Sequence, residues 1–218
     1  MAKKFYPGCK IKAAYPEESE RLRKYLQQRE DVEVMGCCRA NWEGHGTGDE
    51  GIYICNNCHE ILSESAGFGI LSSVWGLIDA DADFPFPDYG GEQIALADCW
   101  IAGGNHEVHD AVRSLLAKMN ICVIEPEQSR DESRFCGTNI LVEASASNAR
   151  LAPVRWGEKK DAEVALVPEE EWPAYFNGAC EQFATEKVAC YCKFCADGLR
   201  LGGKQPVHLL ELLFPAGE

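Results

Sequence analysis

The sequence predicts an α/β protein made of two pseudo-symmetric strand-helix-strand repeats with cysteine-bearing loops at the strand ends. Three observations lead to that class. Short β-rich runs alternate with helical periodicity, which argues for α/β units. Five cysteines crowd the first 58 residues as C-x27-C-C-x16-C-x2-C, at Cys9, Cys37, Cys38, Cys55 and Cys58. A similar order returns at Cys99, Cys136, Cys192 and Cys195. A repeated order says more than any single pair, because chance would have to produce it twice. Residues 1–90 form the first expected cysteine-rich repeat and 91–218 the second, packed as one globular unit.

Lys3 to Tyr6 reads as the first strand, broken by Pro7-Gly8, with Cys9 in the loop beyond. Pro16-Glu17-Glu18 opens a helix, since acidic residues favour the positive first turn. Its apolar face is Leu22, Tyr25 and Leu26, and it ends near Glu30. Val32 to Met35 is a second strand with Gly36-Cys37-Cys38 at its tip. Gly44-His45-Gly46-Thr47-Gly48 lacks the Lys-Ser/Thr of a phosphate loop and the spacing of a dinucleotide fingerprint, and reads as a flexible loop. Gly51 to Ile54 is a third strand running into Cys55, followed by a helix from Asn56 to about Ala66. A C-x-x-C at such a junction sets both sulfurs on one turn, beside N–H groups that stabilise thiolate charge. Gly67 to Asp88 is a connector in which Ile70, Leu71, Val74, Trp75, Leu77 and Ile78 suggest a buried helix. Asp79, Asp81 and Asp83 alternate, but lack the Gly and Glu of a calcium loop and read as a solvated turn.

The second repeat starts with a strand from Gln93 to Ala97 that ends at Asp98-Cys99-Trp100. His106 to Met119 is a helix, with Val108, Val112, Leu115, Leu116 and Met119 on one face. Ile121 to Ile124 is a strand. Ser133-Arg134-Phe135-Cys136-Gly137 and an Ala-rich helical run to Arg150 follow. A helix from Glu169 to Phe183 and a strand from Lys187 to Ala189 lead to Cys190-Tyr191-Cys192-Lys193-Phe194-Cys195. Val207 to Leu213 closes the chain with a short strand and a helical turn.

Composition narrows the function. The formal net charge of −14 argues against nucleic-acid or anionic-membrane surfaces, which need clustered Lys and Arg. No apolar stretch follows Lys3-Lys4, and no run reaches the ~18 residues of a membrane span, so a cytoplasmic location is expected. Thiols there stay reduced, and twelve cysteines in a chain of this length then point to metal. Adjacent cysteines such as Cys37-Cys38 pair poorly with each other but suit a polynuclear metal site. Cys122 and Cys180 read as buried packing residues. His106 and His109 read as polar surface residues. His59, next to Cys58, is a candidate proton donor or hydrogen-bond partner of a cluster sulfur.

These motifs resemble the cysteine-rich CCG domain family, found in the disulfide-cleaving subunit of heterodisulfide reductase and its relatives. Tyr6-Pro7-Gly8-Cys9, Gly36-Cys37-Cys38 and Cys55-x-x-Cys58 carry the likeness in the first repeat. Ala97-Asp98-Cys99, Glu107-Val108 to Leu116, Ser133 to Gly137, Cys192-x-x-Cys195 and His208 to Leu213 carry it in the second. The resemblance implies an iron–sulfur cluster in each repeat; five thiolates with a tandem pair fit a non-cubane [4Fe-4S] cluster on Cys9, Cys37, Cys38, Cys55 and Cys58, and the four matched thiolates Cys99, Cys136, Cys192 and Cys195 fit a cubane. It also implies electron transfer or disulfide reduction, the latter expected at the first site; a separate redox partner carrying iron–sulfur or flavin is expected to supply the electrons. No flavin or nicotinamide fingerprint occurs in the chain itself. The chain departs from the family in the short Cys38–Cys55 spacing, in Arg39 where Gly is usual, and in Phe135 where a tandem cysteine would stand. Cys190 is a further candidate ligand of the second site. Three other readings stay open: a non-catalytic electron-transfer protein of a larger redox complex, a structural zinc protein, and a thiol–disulfide oxidoreductase using the C-x-x-C pairs.

Overall fold

The computed structural model describes residues 2–29 and 31–215. The chain is α/β, with two four-stranded parallel sheets. The strands of the first are β1 (Lys3–Tyr6), β2 (Val32–Val34), β3 (Glu50–Tyr53) and β4 (Ile70–Ser73), in the order β2-β1-β3-β4. Parallel neighbours need crossovers. Helices α1 (Cys9–Ala14) and α2 (Pro16–Arg29) link β1 to β2, and α3 (Asn56–Ser65) links β3 to β4. Helix α4 (Val74–Ala80) follows β4 directly. All four residues of β3 are buried, as expected for a parallel strand covered on both faces.

The second sheet is β5 (Glu92–Ala97), β6 (Ile121–Ile124), β7 (Lys187–Cys190) and β8 (Gln205–His208), in the order β6-β5-β7-β8. Helix α5 (His106–Lys118) joins β5 to β6. Asn105 caps it by accepting from the Val108 N–H, and Val108, Val112, Leu115 and Leu116 bury its apolar face. The β6–β7 connection contains α6 (Ala146–Leu151), a wider π turn at Val154–Lys159, α7 (Lys160–Glu163) and α8 (Trp172–Cys180). Helix α9 (Lys193–Leu201) joins β7 to β8, and α10 (Leu209–Leu213) ends the described chain.

Two compact units result. One comprises Met1–Leu77 and Ala144–Glu163, the other Ile78–Glu143 and Val164–Glu218. The stretch 144–163 thus packs with the first sheet although it lies between strands of the second. Specific pairs hold it there: Arg155 Nε donates to Glu60 Oε2 at 2.8 Å, and Trp156 Nε1 donates to Asn57 Oδ1 at 2.7 Å. Glu64 also accepts from the Val154 and Arg155 N–H groups.

Some elements differ from expectation. Ile70–Ser73 is strand β4 rather than part of a buried helix, and helix begins only at Val74. A short apolar run fits either structure by periodicity, and pairing with β3 decides it. Cys9 begins helix α1 instead of lying in an open loop. Helix α9, after Cys192, has no counterpart in the expected elements. The expected end of α2 near Glu30 lies outside the described residues. No helix among the described residues is long and apolar enough to cross a membrane.

Candidate metal-binding cysteine sites

Strand order explains why the cysteines meet. In each sheet the chain adds one strand to one side of the first strand and the next to its other side, β1 between β2 and β3, and β5 between β6 and β7. Such a reversal opens a crevice at the carboxyl ends of the two central strands. The register Tyr6↔Tyr53 sets Cys9 and Cys55 just beyond that edge in the first unit. The register Ala97↔Cys190 does the same for Cys99 and Cys192 in the second. Cys55, Cys99, Cys136 and Cys192 each stand immediately before a helical turn, where free N–H groups favour negative charge.

The structure gathers Cys99, Cys136, Cys192 and Cys195 into one buried group, with all four sulfurs within 4.8 Å of one another. The Cys99 and Cys136 sulfurs are 3.4 Å apart. Burial works against charge here, but hydrogen bonds from the Cys136, Cys192 and Cys195 thiols and from the Ile101 N–H hold the Cys99 thiol well below its ordinary pKa. Burial pushes Cys136 and Cys195 well above theirs. A bound cation would displace the thiol protons. The set fits a metal or iron–sulfur site by donor type and burial. The Cys99–Cys136 separation is near the roughly 3.8 Å between thiolate sulfurs on one tetrahedral ion.

Asp98 supports this site from behind Cys99. Its buried carboxylate accepts from Arg113 at 2.7 Å, from the Arg130 N–H at 2.7 Å and from the Tyr191 hydroxyl at 2.9 Å. The Cys99 N–H in turn donates to the Tyr191 oxygen at 3.3 Å. Phe135 is buried edge-on against Phe176 and Phe183. It is a packing residue. Cys190 is buried but lies outside the group of four, and burial pushes its thiol up.

The first-unit cysteines also converge, but more loosely. Cys9 contacts Cys37, and Cys58 contacts both Cys38 and Cys55. They form a string rather than a single compact group. Five thiols exceed the four ligands of one tetrahedral ion. Burial varies along the string: Cys9 is exposed, Cys37 and Cys55 are half-buried, and Cys38 and Cys58 are buried. Hydrogen bonding from Cys58, then the charge and N–H of Arg39, hold the Cys38 thiol below its usual pKa. Hydrogen bonds to Cys38 and Cys55, with burial, push Cys58 well up. Arg39 is anchored by Nε on Asn148 Oδ1 at 3.0 Å. His59 binds the Glu60 carboxylate through Nδ1 at 2.8 Å, with its ring 4.9 Å from that of Tyr53.

Sequence reasoning missed three residues beside this string. The Tyr6 hydroxyl donates to the Asn41 carbonyl at 2.6 Å and meets His45 Nε2 at 2.8 Å. Burial, then the charges of Cys38 and Cys58, push its pKa up. His45 lies in the Gly-rich loop but is stacked on Phe68, centroids 4.2 Å apart. Asn41 Nδ2 donates to the Cys37 carbonyl at 2.9 Å. No local pattern announces these residues, because tertiary partners define them. None of the twelve cysteines is in a disulfide. Cys180 is buried as expected, its thiol pushed up to about 11 by burial. Cys122 is exposed, correcting its reading as a packing residue, because its side chain points outward from β6.

No protein-family model matches the chain, and no curated protein or solved structure gives a significant match.

Proposed function

We propose that this chain is an iron–sulfur oxidoreductase resembling the disulfide-cleaving subunit of heterodisulfide reductase, and that it passes electrons to a disulfide at the first-unit cysteines. The observation that carries this reading is the string of five thiols at the carboxyl edge of the first sheet, exposed at Cys9 and buried at Cys58. The two units are read as repeats of one plan, which their matching strand orders and cysteine positions support. A cluster on Cys9, Cys37, Cys38, Cys55 and Cys58 would supply electrons and an iron able to bind sulfur.

The residues of the chain supply the rest. Arg39 places a positive charge beside Cys38 and favours its thiolate. The exposed Cys9 edge is where a substrate disulfide approaches. His59, one-quarter exposed and paired with Glu60, would deliver protons as the two product thiols form. Two electrons and two protons complete one disulfide cleavage, the electrons coming from a redox partner carrying iron–sulfur or flavin.

The test is turnover. Anaerobic protein supplied with a reduced viologen should reduce an aliphatic disulfide, and Cys38→Ala should lower the rate at least about a hundredfold. Equal rates for the two proteins would rule the reading out. A second reading applies to the other site. The close sulfur spacing around Cys99 favours a structural zinc ion there over a relay cluster. Elemental analysis of Cys136→Ala separates the two, since that variant loses zinc in one case and iron in the other.

A further inference from the structure

Helix α5 and the short helical turn Arg130–Glu132 bring together three ligand-type side chains that contain no sulfur. His106 and His109 are three residues apart on α5 and so share a face. Asp131 comes from the turn. His106 Nε2 is 3.4 Å from Asp131 Oδ2, and His109 Nδ1 is 3.7 Å from Asp131 Oδ1. Donor atoms of the three residues all lie within 4.8 Å of one another.

His109 makes this more than a surface cluster. Its side chain is 0% exposed, and neither ring nitrogen has a hydrogen-bond partner. An imidazole buried in that way lacks the partners a protein interior normally provides. A metal ion satisfies such a nitrogen directly. Donors about 2.1 Å from a cation stand roughly 3.0–3.4 Å apart in octahedral or tetrahedral geometry, close to the separations found. The Gly104 N–H donates to Asp131 Oδ1 at 2.7 Å and fixes the carboxylate. His106 is 69% exposed, which leaves the far side of the site open to water or a small ligand.

We propose that His106, His109 and Asp131 form a binding site for a divalent transition-metal cation, separate from the cysteine sites. Two imidazoles and one carboxylate select zinc, cobalt, nickel or iron(II) over calcium or magnesium, which prefer oxygen-only ligands. The start of α5 carries partial positive charge and opposes a cation. Nearby arginines oppose it less, because Arg130 is paired with Asp110, and Arg113 with Asp98 and Glu125. The site is therefore of moderate affinity, and its three ligands leave coordination positions for solvent.

Cobalt(II) is the probe. Anaerobic protein with its cysteine sites already loaded is titrated with cobalt and followed by absorbance and calorimetry. The proposal predicts one additional ion per chain, with weak visible bands and no near-ultraviolet sulfur-to-cobalt transition. His106→Ala and Asp131→Asn alter solvent-exposed side chains, and each should weaken this binding at least about tenfold. Both should keep the metal content of the cysteine sites and the melting temperature of the parent protein. Three outcomes would overturn the proposal: no additional ion, a sulfur-to-cobalt band accompanying it, or unchanged affinity in both variants.

Discussion

At Gly137 the backbone has φ +59°, and a Cβ there would sit 1.7 Å from the Phe194 carbonyl oxygen. That contact lets the Cys136 turn lie against the start of α9, which carries Cys195. Gly137→Ala is expected to cost about 3 kcal/mol and lower the melting temperature by roughly 6–12 °C. It should also deplete metal from the second site, read by elemental analysis. Asp98 gives a second test. Burial raises its pKa, but Arg113 outweighs burial and holds the carboxyl below its usual range. Arg113→Met strands that carboxylate and should cost about 3–5 kcal/mol at pH 7 by denaturant unfolding. The loss should shrink toward pH 4, because an unpaired buried carboxyl takes up a proton there. At this scale the cysteines were legible, since their spacing is written in the chain. The buried state of His109 and the anchoring of His45 were not, because each depends on residues distant in sequence.

Helix α10 shows what a single element can hide. His208 caps it by accepting the Leu210 N–H on Nδ1 at 3.2 Å, while Glu211 accepts the His208 N–H at 2.7 Å. Burial pushes the His208 pKa down to about 4. Above about pH 6.5 the imidazole is neutral folded or unfolded, and its contribution to stability is fully present. As pH falls toward 4 the unfolded chain binds a proton that the folded chain excludes. Stability should then drop by up to about 1.4 kcal/mol per pH unit, about 3 kcal/mol in all. Urea unfolding at pH 7 and pH 5 measures this, and His208→Gln should flatten the slope. The same slope in both proteins would contradict the assignment. Most elements were readable from apolar periodicity and breakers, including β1, α2, α5 and β6. Strand β4 was not, because Ile70-Leu71 carries no period of its own and takes its structure from β3.

On the scale of the whole molecule, the α/β class was legible and the path of the chain between the units was not. Nothing in the sequence of 144–163 marks it as packing with the first sheet. Its attachment rests on pairs such as Trp156–Asn57 and Arg155–Glu60, nearly a hundred residues apart in the chain. Trp156 is 2% exposed, so Trp156→Ala should cost about 3–5 kcal/mol by denaturant unfolding. Because Asn57 lies between Cys55 and Cys58, the same variant should bind less metal at the first site. The central claim is that the first-unit cysteines hold an iron–sulfur cluster. Iron, acid-labile sulfide and zinc, measured in protein purified under strict anaerobiosis, test it most directly. Iron with matching sulfide is expected, with loss of both from the first site in Cys38→Ala. Zinc without sulfide in the anaerobic protein would contradict it.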